Sequence, residues 1–362
     1  MDPLLKAMTL HDPDSTHVVA YADDIVLLVA GNTRRQVIRS TERALEIINS
    51  WANVRGLAFS KEKSVMVPLK GGLVPGFTAR FGDSTITSVE HTKYLGLTLQ
   101  SNFYFDLHAI NLLESSTDMF SRLKSIRKSK WWTSPELATM IYKAVYIPRV
   151  TYGATTWFNR LRNKEDIKKK LTSAQRRTLL AITGAYKTSS THALQVITGT
   201  PPIVQHIQYK IDIENGTTPE EAKTKCLDEW QTLWNNSSKG RWTFSFLPSI
   251  RQRLVTPITF DHYTCQIITG HGDFNYKLHG FNLVDNPTCS CGHTIEDARH
   301  ILEDCTKANQ HRVRLRRTME LSGASWPYEN TEYIKNRKSW EALTIFATCY
   351  LKDKEKERLE RR

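Results

Sequence analysis

The chain has 362 residues, a formal net charge of +13 at pH 7 and an isoelectric point near 9.4. Its length predicts two or three domains. The longest apolar runs, such as residues 25–30, are far below the roughly 20 residues that span a bilayer, which excludes a transmembrane protein. The first residues lack the basic and apolar pattern of a signal peptide, so we do not expect secretion. The basic balance favours a polyanionic partner such as nucleic acid.

The first hundred residues predict a mixture of strands and one helix. The helix covers residues 34–51, where apolar side chains recur at helical spacing and Thr33 is a suitable N-cap. The predicted strands are residues 18–21, 25–30, 64–69, 85–89 and 94–99. This order indicates an α+β fold in which helices pack on one face of a sheet.

The rest of the chain predicts helices, with a further helix over residues 219–234 and an exposed, charged helix over residues 353–362. Residues 122–187 carry 16 Lys and Arg against 3 Asp and Glu, together with several aromatic residues that include Trp131 and Trp132. Such interleaving is typical of a surface that follows phosphates and stacks bases. It is also compatible with helices that bury the aromatic rings and expose the charges.

Asp23 and Asp24 form a carboxylate pair between two apolar, strand-like runs. Two ionised carboxylates near a core repel each other and are costly to desolvate, and a divalent cation relieves both effects. We therefore expect a tight hairpin whose turn holds both side chains at the edge of the sheet. Their hard oxygen ligands suit Mg²⁺. An exposed Asp-Asp turn without metal is the alternative for an isolated pair.

The order of four segments resembles the reverse transcriptases of non-LTR retrotransposons. Tyr21-Ala22-Asp23-Asp24 resembles the palm motif, and residues 56–64 (GLAFSKEKS) resemble the next palm motif. Residues 91–99 (HTKYLGLTL) resemble the hairpin that grips the primer, and residues 174–186 resemble the thumb. The similarity is greatest to arthropod type-1 retrotransposable elements that insert in ribosomal RNA genes, and it runs from about residue 1 to about residue 320.

The resemblance implies RNA-directed DNA polymerisation by two-metal chemistry, with template RNA, primer or target DNA and dNTPs as partners. Asp23 then corresponds to the main Mg²⁺ ligand and Asp24 to an auxiliary one. Tyr21 is placed near the incoming nucleotide, and Lys63 matches a lysine that could protonate pyrophosphate, although it could also be a simple surface lysine. A palm needs a further aspartate from an upstream strand. We therefore expect a C-terminal fragment of a Pol polyprotein that does not polymerise alone.

A second cluster of chemically active residues follows the pattern Cys-x-Cys-x8-His-x4-Cys. Its members are Cys289, Cys291, His300 and Cys305, with His293 as a competing ligand. Four such ligands suit a closed, tetrahedral, structural Zn²⁺ site. Reduced cysteines without metal are the alternative. The remaining cysteines, Cys226, Cys265 and Cys349, are expected to be packing residues.

Three domains follow from this interpretation: part of a polymerase palm at 1–105, a helical, basic, thumb-like region at 106–205, and a nucleic-acid-binding region at 206–362 with the zinc knuckle at 289–305. The basic run at residues 311–317 could contact phosphates. Family polyproteins also carry an endonuclease, but residues 200–362 contain no complete nuclease carboxylate set. The alternative function is a truncated, non-catalytic RNA- or DNA-binding module. The substrate implies a nuclear location.

Overall fold

The computed structural model describes residue 4 and residues 15–128, 135–256 and 258–360. Trp131 and Trp132, as well as the upstream aspartates Asp2, Asp12 and Asp14, lie outside the described residues. The chain divides into two compact units, Met1–Ala109 and Ile110–Arg362. The predicted division into three domains stays a prediction. Within the described ranges, no helix combines the length and apolar character that a bilayer crossing requires.

The first unit contains one long helix and three β-hairpins. Helix α1 (Arg34–Val54) begins at Thr33, whose hydroxyl accepts a hydrogen bond from the Gln36 N–H, so the predicted N-cap is confirmed. The antiparallel pairs are β1 (Thr16–Tyr21) with β2 (Asp24–Val29), β3 (Thr78–Phe81) with β4 (Ser84–Thr87), and β5 (His91–Tyr94) with β6 (Leu97–Gln100). The fold is therefore mixed helix with small antiparallel sheets.

The structure differs from the predicted single sheet, because the described hairpins form three separate two-stranded sheets. Residues 64–69 are irregular apart from one bridge between Met66 and Ser88. Residues 94–99, predicted as one strand, contain a turn at Leu95 and Gly96, both with positive φ. The apolar face of α1 packs on the β3–β4 hairpin through Leu45, beside Phe81 and Ile86, and on the β1–β2 hairpin through Ala44 and Ile48.

The second unit is helical, and its helices follow one another with short connections. Their bounds are α2 (Asp106–Lys128), α3 (Pro135–Ile141), a π-helical turn (Tyr142–Tyr146), α4 (Ile147–Thr151), α5 (Ala154–Leu161), α6 (Glu165–Thr183), α7 (Thr191–Thr198), α8 (Ile203–Glu214), α9 (Pro219–Asn236), α10 (Arg241–Phe246), α11 (Ile250–Val255), α12 (His262–Thr269), α13 (Asn275–His279), α14 (Ala298–Glu303), α15 (Asn309–Leu321) and α16 (Arg337–Glu360). Helix α2 begins at the end of the first unit.

The core of the second unit is rich in large aromatic side chains. Trp230, Trp234, Phe246 and Trp340 are fully buried, and their cluster extends to Cys289 and its neighbours. Helix α9 begins at a capping box between Thr218 and Glu221, and Trp230 and Trp234 face this core because they lie four residues apart on one face of the helix. The Cys/His segment is thus attached to the main core of the unit.

Candidate functional site

The predicted hairpin around the carboxylate pair is confirmed. Strands β1 and β2 pair from Thr16 with Val29 to Tyr21 with Asp24, so a two-residue turn of Ala22 and Asp23 joins them. The side chains of Asp23 and Asp24 are exposed, as is that of Tyr21. The expected desolvation of the pair near a core is therefore not observed. Instead, the turn places both carboxylates at the end of the hairpin, where a ligand can reach them directly from solvent.

The turn that carries the carboxylates is strained. Ala22 has φ of 53°, the left-handed region that disfavours residues with a Cβ atom. Such a conformation costs a non-glycine residue about 1–2 kcal/mol. Strain of this kind collects at functional sites, where surrounding structure holds it in place. Here the six-residue pairing of β1 with β2 imposes it.

We expect Ala22→Gly to stabilise the first unit by up to about 1 kcal/mol, because relief of the left-handed strain outweighs the roughly 0.5–1 kcal/mol entropic cost of glycine. Urea unfolding measures the change. Ala20→Gly, in the regular part of β1, is the matched control and should destabilise instead. Equal destabilisation by both substitutions would show that the turn is unstrained.

The other predicted polymerase residue, Lys63, is exposed in a turn between α1 and β3. Its N–H donates to the Ser60 hydroxyl, and no ion pair with Asp23 or Asp24 occurs in the described part of the chain. The structure therefore does not bring Lys63 to the carboxylates by direct contact. A third carboxylate beside Asp23 and Asp24 is also absent from the described ranges.

The four predicted zinc ligands lie together. The ligand atoms of Cys289, Cys291, His300 and Cys305 are all within 4.8 Å of one another. Cys289 Sγ lies 3.7 Å from Cys305 Sγ, and Cys291 Sγ lies 3.3 Å from His300 Nε2. A tetrahedron with Zn–S bonds of 2.3 Å has an S–S edge of about 3.8 Å, close to the first distance. The donor set and spacing therefore fit a closed zinc site.

The competing histidine takes a different position. The His293 ring stacks on the His300 ring with centroids 4.1 Å apart and planes 9° apart. His293 Nδ1 contacts the Ile295 carbonyl at 2.8 Å. His293 therefore supports the imidazole of His300 rather than joining the ligand group.

Local hydrogen bonds explain why this short segment closes on itself. The Cys289 N–H donates to the His293 carbonyl, and Gly292, with φ of 96°, permits the tight turn between them. Asp297 caps α14 by accepting from the His300 N–H at 2.8 Å, which fixes the backbone of the third candidate ligand. The Cys305 N–H donates to the His300 carbonyl, so the last ligand follows directly from the helix end.

The protonation of the cluster reflects its half-buried setting. Burial raises the pKa of the Cys289 thiol. Burial also acts to raise the pKa of Cys291, but hydrogen bonds from the His293 backbone and from neighbouring thiols outweigh it, so the pKa of Cys291 is lowered. Burial, followed by the charge of His293, lowers the pKa of His300. The lowered pKa favours the neutral imidazole, which is the form that binds a metal.

Arg312 belongs to the basic run that we expected to contact phosphates, but its side chain is buried against the Cys/His knuckle. Arg312 is 2% exposed, and its guanidinium donates to the carbonyls of Ile301, Leu302 and Cys305 at 2.7–3.0 Å. Within the basic run, Arg316 stacks on Trp326, with Cζ 3.9 Å from the ring centroid. Of the four arginines in this run, only Arg314 and Arg317 have exposed side chains.

The C-terminal helix α16 docks on the same segment through partly buried charges, a contact that the sequence did not predict. Lys354 Nζ donates to Glu296 Oε1 and to the Asp273 carbonyl, and Arg358 pairs with Asp273. Glu296 also accepts from the Asn275 N–H at 3.1 Å. The tail is helical and mostly exposed, as expected, but Lys354 and Arg358 anchor it to the rest of the unit. Glu296 lies four residues before His300, so α16 is tied to the knuckle itself.

We expect Lys354→Ala to destabilise the second unit by about 3–5 kcal/mol, because it leaves the Glu296 carboxylate, with a side chain only 3% exposed, buried without its cation. Denaturant unfolding followed by tryptophan fluorescence measures this loss. Lys356→Ala, on the exposed face of the same helix, is the matched control and should change stability by less than about 0.5 kcal/mol. Similar effects from both variants would contradict an energetic role for the ion pair.

The aromatic residues of the basic segment divide between core and surface. Tyr142, Tyr146 and Trp157 are buried, so for these rings the packing interpretation is correct. Tyr152 and Tyr186 are exposed. Cys226 and Cys265 are buried as expected, but Cys349 is exposed and is not a packing residue.

Comparisons with known proteins agree with these motifs. Residues 1–99 match the reverse transcriptase (RNA-dependent DNA polymerase) family. The chain is 30% identical over 372 residues to a 115 kDa protein in type-1 retrotransposable element R1DM of Drosophila melanogaster, a match that covers 96% of this chain and 36% of that protein. No solved structure matches significantly.

Further relatives are retrovirus-related Pol polyproteins from type-1 retrotransposable elements. One from Nasonia vitripennis (R1 3) is 27% identical over 325 residues, which cover 80% of this chain and 84% of the relative. One from Bradysia coprophila (R1) is also 27% identical, over 80% of this chain and 31% of the relative. The chain thus spans only about a third of the Drosophila and Bradysia proteins. The predicted resemblance to non-LTR reverse transcriptases is confirmed.

Proposed function

We propose that this relative of the R1 Pol polyproteins supplies the metal-binding carboxylate pair of an RNA-directed DNA polymerase that acts in target-primed reverse transcription. The proposal rests on the tip of the hairpin, where Tyr21, Asp23 and Asp24 lie together in and beside a strained two-residue turn. The family match covers this hairpin. Template RNA, primer or target DNA and dNTPs are the partners that this activity requires, and target DNA places the proposed reaction in the nucleus.

The residues of the hairpin fit Mg²⁺, since adjacent exposed carboxylates offer hard oxygen ligands. Bound Mg²⁺ would activate the primer hydroxyl and neutralise charge on the transferring phosphoryl group. Asp23, in the turn, is the proposed main ligand, and Asp24, whose backbone pairs with Tyr21, is the auxiliary one. Tyr21, with 64% of its surface exposed, offers a ring face to a nucleotide. Lys63 is the proposed acid for pyrophosphate, and it must approach when substrate binds.

For the second unit, we propose a structural Zn²⁺ held by Cys289, Cys291, His300 and Cys305. The four ligand atoms leave no open coordination position, so the metal would stabilise the knuckle rather than catalyse a reaction. The knuckle and the exposed cations Arg314 and Arg317 then form the proposed contact to RNA or DNA phosphates. The basic α6, with Lys168, Lys169 and Arg177, carries further positive charge in the same unit.

Primer extension on an RNA template with Mg²⁺ tests the proposed polymerase. The chain is assayed alone and after fusion to the upstream segment of the Drosophila relative, which would supply the additional palm carboxylate. We expect extension only by the fusion. Failure of both proteins to extend a primer, with salt-sensitive RNA binding retained, would instead support the second candidate, a non-catalytic binding module, which the basic surface of α6 favours.

A further inference from the structure

The second unit contains an open cavity that the proposed polymerase and zinc sites do not use. Its volume is about 640 Å³, within the range of small-ligand sites. The π-helical turn, α4, the loop at residues 199–201 and α8 form its walls. Its polar lining combines aromatic rings with cations: Tyr142, Lys143, Tyr152, His206, Tyr209 and Lys210.

Helix α8 contributes an organised set of these side chains. His206, Tyr209 and Lys210 lie at positions i, i+3 and i+4, so they share one face of the helix. The rings of His206 and Tyr209 have centroids 5.8 Å apart, and Lys210 Nζ lies 5.9 Å from the Tyr209 centroid. The face therefore presents an aromatic surface with a cation beside it, as base-stacking sites do.

His206 adds a buried hydrogen-bonding group without a protein partner. Its Nε2 atom is buried and makes no hydrogen bond to any described residue. Burial, and then the charge of Lys210, lowers the pKa of His206 to about 4, so the ring is neutral at pH 7. A neutral imidazole offers one donor and one acceptor nitrogen, and an unpaired buried nitrogen is costly unless a ligand satisfies it. Base edges offer complementary groups.

We propose that this cavity binds one unstacked nucleotide of a single-stranded nucleic acid, with the base against Tyr209 and His206 and the phosphate between Lys143 and Lys210. Lys143 is exposed at the rim, where a phosphate can remain partly hydrated. The single acidic side chain of the lining, Glu214, is exposed and can accept from a base N–H group such as N3–H of uracil. The inference rests on the proposed function only in its choice of a template or primer strand as the source of the nucleotide.

Binding of a labelled oligouridine, compared with an abasic ribose-phosphate strand of equal length and charge, tests the proposal by fluorescence anisotropy on the full chain. We expect wild type to prefer the oligouridine by roughly tenfold, as one stacked base would provide. The double variant Tyr209→Ala/Lys210→Ala should lose this preference. The double variant Tyr276→Ala/Lys277→Ala is the matched control, because Lys277 lies 5.6 Å from the Tyr276 ring outside the cavity, and it should keep the preference.

Two outcomes would overturn the proposal: equal binding of both strands by wild type, or an unchanged preference in the Tyr209→Ala/Lys210→Ala variant. If circular dichroism shows that this variant is unfolded, the test uses Lys143→Glu instead. Lys143→Glu should weaken oligouridine binding more than the control Lys223→Glu, which lies on the exposed surface of α9. Equal effects of the two charge reversals would reject the cavity. A parallel oligothymidine distinguishes RNA from DNA as the source. Binding is measured without primer extension, so the cavity and the polymerase proposal can fail independently.

Discussion

Asp23→Ala should abolish primer extension by the fusion protein, with a loss of roughly 10³-fold or more. A metal that neutralises charge in the transition state contributes several kcal/mol, and each 1.4 kcal/mol corresponds to tenfold in rate. Asp23 lies in the turn itself and is exposed, so its removal leaves the β1–β2 pairing and the core intact. The measured quantity is the single-turnover rate of dNTP incorporation at saturating Mg²⁺.

The neighbouring carboxylate provides the internal comparison. Asp24 pairs through its backbone with Tyr21, and we assign it the auxiliary role, so Asp24→Asn should reduce the rate less than Asp23→Asn. Asp83→Ala, in the exposed turn between β3 and β4, is the control for loss of a surface carboxylate and should leave the rate unchanged. Retention of normal extension by Asp23→Ala would refute the proposed metal site.

Local patterns predicted the features whose causes lie within a few residues. The helix from Arg34, its Thr33 cap, and the hairpin at Asp23 each depend on short-range periodicity, hydrogen bonding or turn geometry. The grouping of the four Cys/His side chains was predictable for the same reason, since Gly292 and the Asp297 cap act within the segment. The choice of His300 over His293 agrees with the observed grouping of ligand atoms.

The features that the sequence did not predict depend on contacts between distant residues. Lys354 lies 58 positions from Glu296, and nothing in the alternating charges of the tail distinguishes it from the exposed Lys356. Arg312 belongs to a run of similar cations, and only the carbonyls at the end of α14 reveal that it is buried. Residues 64–69 have strand-like composition, yet strand formation needs a neighbouring partner, and Met66 bridges only Ser88.

The folded state of the Cys/His knuckle is expected to depend on a bound metal. Purified chain should contain one equivalent of zinc, measured by elemental analysis, and its removal with a chelator should unfold residues 287–305 locally. Structural zinc contributes an apparent 10–16 kcal/mol in zinc-finger peptides, which would exceed the stability of a segment with so little core of its own. The remainder of the unit should stay folded, because its tryptophan core includes residues from helices far from the metal.

Two pairs of variants separate ligands from neighbours. His300→Ala should abolish stoichiometric zinc, whereas His293→Ala, which removes only the stacked ring, should retain it. Cys305→Ser should behave as His300→Ala does, and Cys349→Ser, which alters an exposed thiol outside the cluster, should behave as wild type. Hydrogen exchange at the Cys289 and Cys305 amides reports the local unfolding. Protection that is the same with and without zinc would mean that hydrogen bonds and the Arg312 guanidinium alone hold the knuckle, and the metal would then have no structural role.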